Sequence, residues 1–277
     1  DLVVIGAGPA GLVCAAGAVA VGASVALVER YRLGGDCLHF GCVPSKALIR
    51  SGRAAAAVRN APDFGIETSP PVINDSRVME RLRRVRAGIS HVDRVERFRA
   101  MGIDVFFGDA AFAESTSIQV AGLQLKFMRA IIATGSRAAA LDVPSLRPGD
   151  FFTNETIFNL TTLPRRLLVI GGGPIGCELS QAFARLGCQV QLVHRGPRIL
   201  PREEPEAAAI VARRMAHNGV ALHLGARVID AGRHFVEFET QGRRTRLEGD
   251  ALFVAVGRRP NVENLNLAAG GIDVNDE

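Results

Sequence analysis

The sequence has no tryptophan and one tyrosine, and aromatic residues make up only 5% of its 277 positions. With so few aromatics there is no alternation of basic and aromatic side chains, so a nucleic-acid-binding surface is not expected. Cysteine is sparse and odd in number, five in all. That count does not suit the paired framework of a small secreted protein and fits a cytoplasmic one. No second Cys/His pair with zinc-ligand spacing joins Cys37 and Cys42, so zinc is a weaker alternative there and no metal site is expected. No initiator methionine is present and the chain starts inside an apolar run, as expected of a chain trimmed at its front. Leu2 to Val28 holds no charged residue, a length that can mark a membrane span. Yet Gly6, Gly8, Pro9, Gly11, Gly17 and Gly22 punctuate it, and its middle is rich in alanine rather than leucine. A strand, a glycine turn, a helix and a second strand account for those positions, and no membrane segment is expected.

What is abundant points to an α/β protein. Apolar residues make up 48% and glycine numbers 30, the balance of Val/Ile/Leu-rich strands joined by glycine turns. The length suits two domains. The net charge is +5 and the isoelectric point about 9.3, so phosphate-bearing cofactors are the simplest anionic partners. Much of the positive charge lies between Arg77 and Arg99, where Val78, Leu82, Val85, Ile89 and Val92 follow one helix face. The arginines there read as the solvated side of an amphipathic helix.

The organisation emerges from an internal repeat. VVIGAGPAGLVCA from Val3 matches LVIGGGPIGCELS from Leu168, so Gly6, Gly8, Pro9 and Gly11 recur 165 residues later as Gly171, Gly173, Pro174 and Gly176. Gly22 recurs as Gly187, and the strand SVALVER recurs as QVQLVHR. In a strand–turn–helix setting the first glycine makes the turn, the second admits a pyrophosphate, and the third packs helix against strand. The helix N-terminus then offers N–H groups and a partial positive charge to phosphate. Two copies with matched flanks point to two dinucleotides on one chain, held by Gly6, Gly8 and Gly11 and by Gly171, Gly173 and Gly176.

The end of the second strand separates the copies. Glu29 can accept hydrogen bonds from both hydroxyls of an adenosine ribose, whereas His194 stands at the matching place, followed by Arg195, Arg198 and Arg202. A carboxylate would repel the 2′-phosphate of NADP and arginine could pair with it, a preference of about 1.5–3 kcal/mol. Arg30 matches Arg195, so the missing acid carries the weight, and NADP is favoured with NAD as the alternative. Between the copies, Ile103–Ser136 reads as a β-meander, and the Pro/Gly-bearing stretch Val143–Asp150 as a linker. The expected architecture is two Rossmann-like dinucleotide-binding domains of the three-layer ββα type with a β-meander insertion. The first covers 1–147, the second 148–256, and 257–277 starts the return to the first.

The segment GGDCLHFGCVPSKALI sets Cys37 and Cys42 four residues apart, the second just ahead of an expected helix. A helix start favours the thiolate, and Lys46 one turn later adds positive charge. Gly34, Gly35 and Gly41 supply the backbone freedom needed to close a short disulfide ring. On spacing alone, two buried cysteines in a loop ahead of a helix are the stronger reading. Cys14, Cys177 and Cys188 fall in or beside the Rossmann elements and read as small core residues.

This segment, with GAGPAG, ATGS at Ala133–Ser136, the second glycine turn and VGRRPN, resembles the class I pyridine nucleotide-disulfide oxidoreductases over the whole chain. That family includes dihydrolipoamide dehydrogenase, glutathione reductase and mercuric reductase. The resemblance implies FAD in the first domain and a nicotinamide nucleotide in the second. It implies that Cys42 faces the flavin, forming a thiolate–flavin charge-transfer pair, and that Cys37 exchanges with substrate. Lys46 would lie near the reactive edge of the flavin ring, and Glu178 would pair with that lysine near the nicotinamide; Glu178 also reads as an acid complementing a helix start. Gly35, Asp36, Ala110, Thr134, Gly135 and Ser136 would contact FAD, and Arg195 and Gly257 the nicotinamide nucleotide.

Two positions depart from the pattern: Asp36 stands where relatives often carry Thr, and His39 where they often carry Asn. An aspartate beside FAD phosphates would be repulsive unless protonated or turned away. DCLHFGCVPSKALI and PRILPREEPE lean towards the mercuric-reductase-like branch. The resemblance further implies a C-terminal dimerisation domain past this chain, supplying a His–Glu pair to the partner's active site, and a homodimer. The expected activity carries electrons from NAD(P)H through FAD to the Cys37–Cys42 disulfide and on to a disulfide or mercuric ion. The alternatives are an NAD-linked dihydrolipoamide dehydrogenase, acting on a dithiol, and a non-catalytic flavoprotein or docking module.

Overall fold

A computed structural model describes residues 1–275, so the last two residues of the expected return segment lie outside the described residues. In chain order the elements are β1 (Leu2–Ile5), α1 (Pro9–Ala20), β2 (Val25–Glu29), α2 (Gly35–His39), α3 (Cys42–Arg59), α4 (Asp75–Ser90), α5 (Val95–Ala100), β3 (Ile103–Phe107), β4 (Ala110–Glu114), β5 (Ser117–Val120), β6 (Leu123–Lys126), β7 (Arg129–Ile132) and β8 (Ser136–Ala138). There follow β9 (Arg166–Ile170), α6 (Pro174–Arg185), β10 (Gln189–His194), α7 (Pro205–His217), β11 (Val220–Leu224), β12 (Arg227–Gly232), β13 (Phe235–Thr240), β14 (Arg243–Glu248), β15 (Ala251–Val254) and β16 (Arg258–Pro260). They form two compact units. The first comprises Asp1–His39, Arg86–Arg137 and the described residues from Arg259 onward, and the second Phe40–Val85 and Ala138–Arg258.

The first unit is built on a parallel sheet in the order β3-β2-β1-β7. Successive side chains of a strand face opposite sides, so each strand feeds two cores. Val4, Leu27, Val25 and Ile103 pack with Leu12 and Ala15 of α1 and Phe98 of α5. Val3, Ile5 and Val28 face the other way, against Phe112, Ile118 and Val120 of the antiparallel meander β4-β5-β6. The result is three layers: meander, parallel sheet, helices.

The second unit repeats the plan with a sheet in the order β11-β10-β9-β15. Leu167, Val169, Val190 and Leu192 meet Leu179 and Phe183 of α6, Met215 of α7, Leu48 of α3, and Met79 and Leu82 of α4. Leu168, Ile170 and Val193 meet Val236 and Phe238 of the antiparallel sheet β12-β13-β14. Register repeats too: Val3 lies beside Ala26, and 165 residues on Leu168 lies beside Gln191.

Helix boundaries follow from local chemistry. Proline is tolerated at the first helical position, where its missing N–H costs nothing, and Pro9 and Pro174 stand there. Both helices stop at a left-handed glycine, Gly22 (φ 90°) and Gly187 (φ 102°). Beyond it the N–H of Ala23 reaches back to the carbonyl of Ala18, and that of Cys188 to Phe183.

Arg77 and Arg84 of α4 are exposed, as expected of a solvated face, whereas three other arginines of the helix are half-buried and reach backbone carbonyls. In the second unit, Arg81 donates to the Ala47 carbonyl at 2.9 Å and Arg83 to that of Leu160 at 3.2 Å. In the first, Arg86 donates to the His39 carbonyl at 3.1 Å. A long side chain with five donors reaches carbonyls that the local backbone leaves available. Among the described residues no helix is long and apolar enough to cross a membrane.

Candidate functional site

The first glycine turn is shaped by contacts that only glycine permits. Gly6 sits at φ 106°, and a Cβ on it would overlap the carbonyl of Ala133. A Cβ on Gly11 would overlap the carbonyl of Gly6, so turn and helix touch through bare backbone. Gly8 caps α1 in an extended conformation without any side-chain hydrogen bond. The second turn matches it in detail. Gly171 (φ 117°) packs on the Ala255 carbonyl, Gly176 packs on Gly171, and Gly173 caps α6 without a side chain, with open space where its Cβ would stand.

Two helix starts with no side-chain cap leave first-turn N–H groups unclaimed at the mouths of parallel sheets. Phosphate fits such a place. The donor chemistry of both turns therefore suits a dinucleotide pyrophosphate.

Glu29, at the end of β2, accepts the Ala7 N–H through one carboxylate oxygen and the Tyr31 N–H through the other, each at 2.8 Å. Its carboxylate thus braces the turn. His194 does the same in the second unit: its Nδ1 accepts the Gly172 N–H at 3.2 Å, which leaves the proton on Nε2. Burial, then the charge of Arg195, holds this imidazole below the usual histidine range. Its Nε2 is buried without a hydrogen bond. The Arg198 backbone pulls weakly the other way, but its geometry falls short of a bond. Arg195 is exposed, whereas Arg198 donates to the carbonyls of Glu203 and Pro201 at 3.1 and 2.9 Å.

Helix α2 carries Asp36 and Cys37 and begins on the first turn. A Cβ on Gly35 (φ 52°) would stand 2.7 Å from the Gly8 Cα, and the Gly34 N–H donates to the Ala7 carbonyl at 2.8 Å. Asp36 and Cys37 are half-buried there. In the second unit Cys42 is the first residue of α3 and is exposed, with the Ser45 hydroxyl donating to its carbonyl at 3.3 Å. Lys46 on α3 and Glu178 on α6 are both exposed, and among the described residues no ion pair joins them. Cys177 and Cys188 are buried, and burial pushes each thiol up to about 12, with lesser contributions from Glu178 and Asp75 respectively. Cys14 is half-buried on α1. Among the described residues no cluster of three or more His, Cys, Asp or Glu side chains could hold a metal ion.

Ala110 is buried at the start of β4. Thr134, Gly135 and Ser136 follow β7, and Gly257 follows β15. Here the structure adds what the sequence did not signal. Ala133 and Ala255 play one part in the two units, each receiving a turn glycine, so ATGS and AVGR are counterparts although the 165-residue spacing has lapsed. Asn261, given no role from the sequence, pins the first of these loops. Its side chain donates to the Thr134 carbonyl and its N–H to that of Gly135, both at 3.0 Å. Arg137 meets Asn261 at 3.0 Å and Glu263 at 2.5 Å, and this bonding holds the Glu263 carboxyl down at about 2. A polar residue following proline in VGRRPN was the available signal.

Comparison with known proteins agrees with this geometry. Residues 1–277 match the family profile described as pyridine nucleotide-disulphide oxidoreductase. The mercuric reductase of Lysinibacillus sphaericus is 33% identical over 277 residues, covering 99% of this chain and 51% of that protein. A dihydrolipoyl dehydrogenase of Bacillus subtilis (strain 168) is 34% identical over 290 residues, covering 100% and 60%. The HOCl-induced flavoprotein disulfide reductase RclA from Escherichia coli has a similar structure, with TM-score 0.82 and 28% identity over the whole of this chain and 60% of that one. The chain spans about half to three-fifths of the length of these relatives. Two matched dinucleotide turns, the first bearing a cysteine helix, and whole-chain similarity lead to one conclusion: the chain belongs to the pyridine nucleotide-disulphide oxidoreductase family.

Proposed function

We propose that the full-length protein is an FAD-dependent reductase that moves two electrons from a nicotinamide nucleotide to the Cys37–Cys42 pair and on to a small disulfide or mercuric ion. The observation that carries this reading is the seating of α2, and with it Cys37, on the backbone of the first glycine turn.

Gly6, Gly8, Gly11, Glu29, Gly35, Asp36, Ala110, Thr134, Gly135 and Ser136 would hold FAD, which when bound accepts hydride from the nicotinamide and passes the electron pair to a disulfide. The cysteines perform the exchange. The Cys37 thiolate attacks one sulfur of the substrate, forming a mixed disulfide and releasing one thiolate. Cys42 then attacks the Cys37 sulfur, releasing the second thiolate and closing the Cys37–Cys42 disulfide. Both released thiolates take protons from solvent, and the pair of electrons lost by the cysteines is replaced from the nucleotide. Lys46 and Glu178 would serve the contact between flavin and nicotinamide.

Gly171, Gly173, Gly176, Arg195 and Gly257 would hold the nicotinamide nucleotide, and NADPH is favoured over NADH. The place of a ribose-binding acid is taken by His194, whose acceptor nitrogen is engaged by Gly172. A homodimer is the expected assembly of the full-length protein. The leaning towards mercuric ion rests on the segments around Cys37 and on PRILPREEPE. An NAD-linked dihydrolipoamide dehydrogenase is the second reading, favoured by the similarity to the Bacillus subtilis protein.

The test is steady-state turnover of the full-length protein with NADPH and NADH against mercuric ion, small disulfides and a dithiol. Loss of turnover in both Cys37→Ser and Cys42→Ser is expected. Full activity in either variant would overturn the electron route, and a strong NADH preference with dithiol oxidation would favour the second reading.

A further inference from the structure

Helix α2 is too short to hold itself together. A single turn of five residues fixes several dihedrals for very few hydrogen bonds, so isolated turns of this length do not persist. Gly34 precedes it and Gly35 opens it, both with positive φ, and Gly41 follows soon after its end. Backbone of that kind is free to move unless something else restrains it.

Gly34 and Gly35 tie the start of α2 to the first glycine turn, and His39 adds a restraint at its other end. It is the last residue of α2, and its ring Nε2 bonds the carbonyl of Leu33 at 2.9 Å, six residues back and ahead of the helix start. Since that carbonyl can only accept, Nε2 is the donor and carries the proton. The bond closes a loop around Gly34–Leu38, with Cys37 inside it. Leu33 is buried, as is Leu38, so the closed turn is seated on apolar side chains. The His39 carbonyl is taken in turn by Arg86 of α4 at 3.1 Å. The last residue of α2 is thereby tied back to the exit of β2 through its ring and to α4 through its backbone.

We propose that His39 is a positioning residue for Cys37: its ring clasps α2 to Leu33 so that the outer thiol is presented in one orientation through each cycle of exchange. The inference rests on the proposed role of Cys37. The chemistry of the clasp asks for a donor at the reach of Nε2. Gln can place an amide N–H there, whereas Phe keeps the shape and offers no donor.

The test uses the full-length protein and its His39→Phe and His39→Gln variants. Three quantities are read: the rate of Cys37 alkylation in the reduced protein, the midpoint potential of the dithiol couple, and kcat against KM for a disulfide. In His39→Phe, alkylation of Cys37 should quicken and kcat fall, each about tenfold, as expected for loss of one part-buried hydrogen bond and its partner's satisfaction. The potential should shift while KM for the disulfide moves less. His39→Gln should recover most of each effect. Wild-type behaviour in His39→Phe, or a His39→Gln variant as impaired as His39→Phe, overturns the proposal. Should His39→Phe fail to fold, hydrogen exchange in the wild-type protein decides. The amide of Leu38 should exchange more slowly than those of the exposed segment 64–69, and equally fast exchange overturns the clasp. Cys37→Ser separates the two levels of argument: full disulfide turnover in that variant would remove the role of Cys37 itself, whatever His39 does.

Discussion

Glu29 accepts the N–H of Ala7 at 2.8 Å, and His194 accepts that of Gly172, its counterpart in the second repeat. One carboxylate and one neutral imidazole thus perform the same brace. They differ in what remains for a ligand: the carboxylate keeps lone pairs, whereas the imidazole has a single acceptor and has used it.

His194→Glu should therefore move the full-length protein towards NADH. The ratio of kcat/KM for NADH over NADPH should rise about ten- to hundredfold, the scale of a charge-assisted hydrogen bond gained with one coenzyme and a phosphate repelled in the other. Stopped-flow or steady-state rates with each nucleotide measure it. An unchanged ratio would place the choice of coenzyme elsewhere.

Opposite ends of the pH range should each weaken the second unit. His194 and His223 are held below the usual histidine value, in both cases chiefly by burial. Stability from their neutral forms is complete above about 6.5 and is lost as pH falls, because the unfolded chain takes up protons first. Cys177 and Cys188 are raised from 9.0 to about 12, so their contribution is complete below 9 and is lost as pH climbs towards 12. Urea unfolding followed across pH should show both losses. A Cys177→Ala/Cys188→Ala double variant should flatten the alkaline limb only.

The same two thiols should resist alkylation until the protein unfolds. Cys42, exposed at the start of α3, should react in the native state. Mass spectrometry after limited treatment with iodoacetamide reads this directly, and early labelling of Cys177 would contradict its burial.

Gly11→Ala and Gly176→Ala should each destabilise their own unit by about 1–3 kcal/mol, because the added methyl must displace backbone rather than a mobile side chain. Gly17→Ala, where a Cβ meets nothing, serves as the control and should be tolerated. Thermal melts together with flavin retention on gel filtration distinguish a weakened fold from a blocked pocket.

Asn261→Ala should loosen the Thr134–Gly135 loop, since the Thr134 carbonyl loses its side-chain donor. A cost of about 1 kcal/mol and an FAD dissociation constant raised several-fold are expected, measured by fluorescence titration of the flavin-stripped protein.

The sequence disclosed the two sheets and both turns because the constraints there are strict. Gly6 and Gly11 cannot be replaced without a clash, so the glycine spacing survives in both repeats and carries the strand register with it. Legibility fades where the constraint is a shape that several sequences satisfy. ATGS and AVGR are counterparts hidden by a change of spacing, since α2 to α5 lie between β2 and β3 where only α7 lies between β10 and β11. Arg81, Arg83 and Arg86 of α4 looked solvated, as Arg77 and Arg84 are, because helical periodicity identifies a face and says nothing about which distant carbonyl lies within reach of it. The ring of His39 is similar: its partner is six residues away across the positive-φ glycines Gly34 and Gly35, where no single helical or strand period applies.

Gly35 rests on Gly8 with no room for a single methyl group between them. A protein engineer wishing to transplant the cysteine helix into an unrelated scaffold would therefore have to carry the glycine turn along with it. The two behave as one cassette, and a mutation that reshapes either half will be inherited by the other.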